Sequence, residues 1–481
     1  MELMKFHTYG QEGERPLWEA VEGQLREKRH RFHVPAHRAV PGEYWPRFDL
    51  TELPGLDQLF APDGAIARAQ ELAAALFQAD RTYFLVNGSS AGVIASVAAL
   101  CRPGEVILVP RNCHRSVAAG LIFSGARPCF LPVPESPLGF PLNVAVSQAR
   151  SALAGSKPGP KAMVVTSPSY WGVCARLADL AAESAGAGCA LLVDEAHGGH
   201  FLFHPELPAP AAGSGADLWV NSAHKTLGAL TPGAYLHLKE RGRVDRERLE
   251  AMLPLVQTSS PPYPVLLSLD LVREALQRRG RQVFEEALEK AARIRRQLRE
   301  LRRFRCLEAD QLPEEFGLDP LRLTIYWNDL DLAGEEVQFL LHKEYRIEVE
   351  MAGGKGYLVA VVHPGLPAEA GEALVAALKD LEQRYRHLAP GSPPAPYPLP
   401  RLLMTPREAV QSPSRPVPLR EAAGEISARL VAPLPPGIPL LYPGEEISPE
   451  MVRRLMAELE KGARYQGLTA SSQPEIHVIA L

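Results

Sequence analysis

Short runs of apolar residues, separated by stretches with helical spacing, fill the chain from about residue 51 to 270. The runs at 82–86, 106–109, 162–166, 190–193 and 218–221 are apolar on both faces, as buried strands of a parallel sheet are. Between them, 65–79 and 90–101 carry apolar residues at the spacing of an amphipathic or buried helix. Strand alternating with helix over this length predicts an α/β large domain, with a mostly parallel sheet covered on both faces. From about Leu271 the pattern changes to a long charged helix, then strands near 321–327, 346–350 and 357–362 and a helix near 369–386. That is a smaller α+β unit.

Proline at 390, 393, 394, 396, 398 and 400 permits neither helix nor central strand, so it reads as a stiff linker. Beyond it, Thr405-Pro406 and Ser448-Pro449 each pair an N-cap with proline at the first helical position. The expected organisation is an N-terminal segment 1–50, a large domain 51–270, a small α+β domain 271–389 and a C-terminal α+β domain 390–481.

Composition narrows the class. The 481 residues are 46% hydrophobic and 22% charged, a folded rather than disordered balance. A formal net charge of -4 gives no electrostatic case for nucleic acid or an anionic membrane. The basic run at 293–305 mixes Leu and Ile at helical spacing and reads as a solvated helix face. No apolar stretch reaches the ~18 residues of a membrane span, and no signal-peptide core opens the chain, so a cytoplasmic location is expected. The six cysteines lack zinc spacing, so no metal is expected, and they read as small buried hydrophobes in a reducing compartment.

The candidate chemistry lies at strand ends, where parallel sheets place their sites. One strand runs into Asp194-Glu-Ala-His197-Gly, whose acid either caps the next segment or serves a ligand. A second runs into Ser222-Ala-His224-Lys225, whose lysine is either solvated or chemical. A third turns through Asn87-Gly88-Ser89-Ser90 into a helix N-terminus of the kind that holds phosphate. Together they match pyridoxal 5'-phosphate: a lysine for the imine with its aldehyde, a carboxylate to keep its ring nitrogen protonated, and a helix end for its phosphate.

With these motifs the chain resembles the bacterial ornithine/lysine/arginine decarboxylases of the aspartate-aminotransferase fold (PLP fold type I). The shared segments are Phe32-His-Val-Pro-Ala-His37, Thr51-Glu-Leu-Pro-Gly-Leu-Asp57, Phe84-Leu-Val-Asn-Gly-Ser-Ser90, Val109-Pro-Arg-Asn-Cys-His114-Arg-Ser116, Val193-Asp-Glu-Ala-His197-Gly, Ser222-Ala-His-Lys225, Thr258-Ser-Ser-Pro261, Thr405-Pro-Arg-Glu-Ala409, Pro435-Pro-Gly-Ile-Pro439 and Pro443-Gly-Glu445. The resemblance implies that Lys225 is the Schiff-base lysine and that Asp194 is the partner of the ring nitrogen. His114, at the end of the strand 106–109, would stack on the ring, and His197 would sit near its O3′. Gly88, Ser89, Ser90, Ser222 and His224 would hold the phosphate. The turn through Thr258 and Ser259 would reach it too, in this subunit or from a neighbour, so a homodimer or higher homo-oligomer is implied.

The implied reaction is decarboxylation of a basic L-amino acid, arginine to agmatine favoured, with lysine or ornithine as alternatives and Lys225 or His224 as proton donor. Glu445, read as an exposed loop acid, is the candidate for the substrate's side-chain cation. His37 lies near the expected substrate entrance, where the family's FHVPGHKxG reads Phe32-His-Val-Pro-Ala36-His37-Arg38. The family's N-terminal receiver-like wing is not expected, nor the decameric rings built through it. An aminotransferase or Cα–Cβ lyase would share Asp194 and Lys225. It should carry an arginine for the α-carboxylate and lack the two C-terminal motifs. A non-catalytic regulatory homologue should have lost the lysine or the aspartate, and both are present.

Overall fold

The computed structural model describes residues 13–26, 48–353, 356–386, 399–433, 436–460, 463–469 and 471–480. His37 with its FHVPAH segment, most of the proline run and Pro435 lie outside the described residues.

The large domain is built on strands β1 (Arg81–Leu85), β2 (Val106–Pro110), β3 (Arg127–Leu131), β4 (Ala162–Thr166), β5 (Val173–Cys174), β6 (Ala190–Asp194), β7 (Leu218–Asn221) and β8 (Ala234–Leu238). All but β5 form one sheet in the order β1-β8-β7-β6-β4-β2-β3. Its β3, β2, β4, β6 and β7 are parallel, as expected. The apolar pattern missed β3 and β8. β8 runs antiparallel to both β7 and β1, so the direction reverses next to the strand that leads into the candidate lysine. Register places Asp194 beside Thr166 on one side and Val220 on the other. One sheet face packs Ile107, Val164, Leu192 and Val220 against helices, the other Leu108, Met163, Leu191 and Trp219. That two-sided burial is why these strands carry no polar face.

The first helices are α1 (Pro16–Arg26), which falls in the expected N-terminal segment, and α2 (Ala65–Leu76), α3 (Gly88–Leu100) and α4 (Arg115–Ser124), which fall in the large domain. A single helix of 36 residues, Tyr263–Leu298, starts inside the large domain and continues into the small one. The boundary expected at 270/271 therefore falls within a continuous helix. Its apolar stripe shares a core with α1, α2 and the small domain.

The small-domain sheet joins β9 (Arg305–Cys306), β11 (Arg322–Tyr326), β12 (Met351–Gly353) and β13 (Tyr357–Val361) in the order β12-β13-β11-β9, while β10 (Gly317–Leu318) pairs with β5. The strand expected at 346–350 is not formed. Arg346 takes φ 57° as the left-handed end of helix Gly334–Tyr345, so the chain re-enters extended structure only at Met351.

In the C-terminal domain both expected helix starts occur. Thr405 accepts from the Glu408 N–H, and Ser448 from the Met451 N–H. This domain has its own core around Val431, Leu441, Ile447 and Leu455. Its Tyr442 reaches into the large domain's core, 4.5 Å from the Phe130 ring.

Candidate active site

The candidate phosphate cradle is local. α3 has an N-cap residue, Asn87, whose side chain does not cap the helix. Its Oδ1 accepts instead from the Thr258 N–H at 3.2 Å, which leaves the first amides of α3 available to an anion. Gly88 takes φ 78° there, a left-handed conformation that side chains resist. The Ser222 hydroxyl donates to that of Ser89 at 2.8 Å, joining the end of β7 to the start of α3. Thr258 and Ser259 lie on an exposed turn beside this cradle, within the same chain.

Asp194 ends β6, buried, with Oδ1 accepting from the Ala196 N–H at 3.2 Å. Burial raises its carboxyl above the usual range, opposed by the charge of Lys225. A cationic ring N–H placed against this carboxylate would be held by the same opposite-charge attraction that Lys225 exerts on it.

Lys225 sits on the single-turn helix Ala223–Thr226 that follows β7. The residue is solvent-accessible, yet protein crowds its side chain. Desolvation lowers its pKa, Asp194 pulls it back up, and Arg322 lowers it further. Nζ lies 3.0 Å from Nε2 of His197. His197 itself is buried, and desolvation holds it well below the usual imidazole range.

His114 lies past the end of β2 as the N-cap of α4, with Nδ1 accepting from the Ser116 N–H. Burial pushes its pKa down to about 4, so the ring is neutral and suited to stack on an aromatic cofactor. The C-terminal domain closes over it. Gly437, at φ 81°, accepts from the Arg115 N–H through its carbonyl at 3.0 Å, and a Cβ there would lie 3.5 Å from the His114 ring. His224 points its Nδ1 at the Gly233 carbonyl, 2.9 Å away, which places a proton on that nitrogen.

Glu445 differs from expectation. It is fully buried, not an exposed loop acid: its carboxylate pairs with Arg111 at 2.7 Å and accepts from the Tyr442 N–H at 2.8 Å. A carboxylate so engaged is not available to a substrate cation, so this assignment is withdrawn. Glu350 is exposed and instead accepts from the Tyr170 hydroxyl at 2.7 Å, and its charge acts on Lys225.

Arg322 of β11 was not read from the sequence as a site residue. It is 2% exposed and donates to His197 Nδ1 at 2.6 Å and to the Tyr170 carbonyl at 3.0 Å. Its strand reads as ordinary alternation, so no local signal marks it. The arginine expected of an aminotransferase is one that grips the α-carboxylate of the substrate, whereas Arg322 directs its hydrogen bonds to His197 and the Tyr170 carbonyl. The C-terminal domain still separates the classes.

Behind the site runs a buried chain. Glu195 accepts from the Ala211 N–H and the Asn221 amide, Asn221 Oδ1 meets His237 Nε2 at 3.0 Å, and His237 Nδ1 meets the Thr82 hydroxyl at 2.8 Å. Burial pushes Glu195 up to about 8 and His237 down to about 3. A histidine held neutral in the fold is protonated first in the unfolded chain, so its contribution to stability is lost as pH falls from about 6.5 toward 3. Wild type is therefore expected to lose its advantage over His237→Gln by about 1.4 kcal/mol per pH unit below about 6.5. Urea midpoints at pH 7 and pH 5 check this, and a constant difference would refute it.

The residues fit pyridoxal phosphate: an uncapped helix end with three serines, a buried carboxylate, a neutral stacking imidazole and a desolvated amine meet at neighbouring strand ends. Comparison with known proteins agrees. Residues 15–340 match the model of the Orn/Lys/Arg decarboxylase major domain, and residues 395–473 that of the C-terminal domain. An arginine decarboxylase of Bacillus subtilis is 35% identical over 97% of this chain and 98% of its own. One of Bacillus anthracis is 33% identical over 94% and 95%. Among solved structures, the constitutive lysine decarboxylase of E. coli superposes with a TM-score of 0.84 at 19% identity, covering 97% of this chain and 82% of that one. Both domain models, in order and over most of the chain, place it in the Orn/Lys/Arg decarboxylase family of pyridoxal-phosphate enzymes.

Proposed function

We propose that this protein removes the α-carboxylate of L-arginine, giving agmatine and carbon dioxide. The observation that carries the choice of arginine is the near end-to-end similarity, at 35% identity, to a protein named arginine decarboxylase. The cofactor supplies an electron sink for the pair left when carbon dioxide departs. Asp194 keeps its ring nitrogen protonated, His114 covers one ring face, and Ser89, Ser90, Ser222 and His224 hold its phosphate. Lys225 holds the cofactor between turnovers. Lys225 or His224, on the turn after β7, delivers the proton that replaces the carboxylate.

With Glu445 committed elsewhere, Glu350 is the acid that meets the guanidinium of the substrate. Its exposure, its hydrogen bond from Tyr170 and its influence at Lys225 support that role. Glu350→Gln is expected to raise KM for arginine about tenfold with a smaller change in kcat. An unchanged KM would remove it from the substrate site.

A homodimer is proposed as the working form, supported by the exposed Leu230 and Leu255, 53% and 62% accessible, near the cradle in sequence. Cytoplasmic action in polyamine synthesis is proposed with it. Free cysteines throughout the described residues support a reducing compartment, and among those residues no helix is long and apolar enough to cross a membrane.

An equimolar mixture of arginine, lysine and ornithine, incubated with holoenzyme and analysed for amines by mass spectrometry, tests the substrate. Agmatine as the dominant product is expected. Cadaverine or putrescine in its place would overturn the assignment within the same chemistry.

A further inference from the structure

Two cationic side chains meet on one buried imidazole. Arg322 reaches His197 Nδ1 at 2.6 Å from the small domain, and Lys225 Nζ reaches Nε2 at 3.0 Å from the large domain. A guanidinium has only donors, so Nδ1 must be the acceptor and carries no proton. The neutral ring then has its single proton on Nε2, directed at Nζ. An ammonium has no lone pair to receive it. The arrangement is satisfied only when Lys225 is a free amine.

We propose that Arg322 locks His197 in the Nε2–H tautomer and that this proton, donated to Nζ, holds Lys225 as the neutral amine that captures the cofactor. Arg322 is thus a positioning residue acting through His197. The inference rests on the pyridoxal-phosphate reading of the site and is independent of which amino acid is decarboxylated. In the capture step the Nζ lone pair attacks the aldehyde carbon, a carbon–nitrogen bond forms, and the aldehyde oxygen leaves as water with both amine hydrogens. An ammonium cannot begin that step.

The surroundings agree. The groups acting on Lys225 are Asp194 and Glu350, which favour the charged form, and Arg322, which with desolvation favours the neutral one. Around His197, Lys225, Arg322, His114 and His224 all disfavour a second proton. The edge of the Tyr170 ring packs on the imidazole at 5.1 Å, and Arg322 lies 5.6 Å from the centre of the same ring. Gly172, at φ 87°, makes the approach of β11 possible, because a Cβ there would sit 3.1 Å from Cβ of Arg322. The hydrogen bonds of Arg322 go to a carbonyl and an imidazole, both neutral. Its charge acts on Lys225, and also on the buried carboxylate of Asp319.

The test uses the full chain freed of cofactor. Long-range proton–nitrogen correlation on ¹⁵N-histidine protein, with the His197 signals identified by their loss in His197→Asn, reads the tautomer directly. Wild type is expected to show a neutral ring with the proton on Nε2. A proton on Nδ1, or a charged ring at pH 7.5, would overturn the proposal, and this measurement needs no variant of Arg322. In parallel, pyridoxal phosphate is added without amino acid, and the rate at which the imine absorbance grows is followed across pH. In Arg322→Met the midpoint of that profile is expected to move up by about one pH unit. Arg322→Lys, which keeps a cationic donor, should stay near wild type. Superimposed profiles for wild type and Arg322→Met would refute the role. A protein that passes both tests yet releases no amine would sink the decarboxylase substrate and leave this inference standing.

Discussion

Lys225→Ala is expected to lower turnover by about 10³-fold or more, at least ~4 kcal/mol of transition-state stabilisation. The substitution removes the amine that lies 3.0 Å from His197 and touches neither Asp194 nor the cradle formed by Ser89, Ser222 and the start of α3. The cofactor should therefore still bind, without its covalent link. Absorbance would show free aldehyde bound to protein, and single-turnover assays would show almost no amine. Because Lys225 is solvent-accessible, added methylamine should partly restore activity, which a folding defect would not allow. Amine formation at the wild-type rate would overturn the assignment of Lys225 and, with it, the placement of the whole site.

Glu445→Ala is expected to cost about 3–5 kcal/mol. The Glu445 side chain is fully buried, its Arg111 partner is 13% exposed, and the Arg111 guanidinium lies over the rings of Phe130 and Tyr442 at 4.8 and 5.0 Å. Burial pushes the carboxyl of Glu445 upward, while Arg111 and the Tyr442 N–H pull it back. Removing the acid leaves a desolvated cation facing the Leu440 carbonyl and two rings. Arg111→Met combined with Glu445→Leu should cost clearly less than the single change, because no unpaired charge then remains. Urea unfolding of wild type, Glu445→Leu, Arg111→Met and the double variant checks this, and additivity would show that the pair is not coupled. Activity should fall in the single variant too, since the same interface carries Gly437 onto the His114 ring.

The strand ends at Asn87–Ser90, Asp194–His197 and Ser222–Lys225 were legible because each is a short apolar run followed at once by polar residues. Burial of a parallel strand and exposure of its end write that pattern locally. β8 was not legible in the same way. Its His237 breaks the apolar run, and that imidazole is tolerated only because Thr82 and Asn221, distant in sequence, satisfy both nitrogens. The helix Tyr263–Leu298 runs through the boundary expected at 270/271 within one shared core, a continuity that helical periodicity does not reveal.

Glu445 and Arg322 show the limit most sharply. The segment Leu441-Tyr-Pro-Gly-Glu445-Glu446 is as polar as any surface loop, and only docking against Arg111 makes Glu445 a buried ion-pair partner. Arg322 lies 125 residues from His197 in the chain, and nothing in its alternating strand distinguishes it from a solvated arginine.

Local order along the chain was enough to establish the cofactor chemistry, the parallel strands that present it and the helix caps of the C-terminal domain, since each depends on neighbours a few positions apart. Tautomers, the charge state of Lys225 and the choice of which carboxylate stays free to meet a substrate depend on groups that only packing brings together, and those belong to the folded molecule.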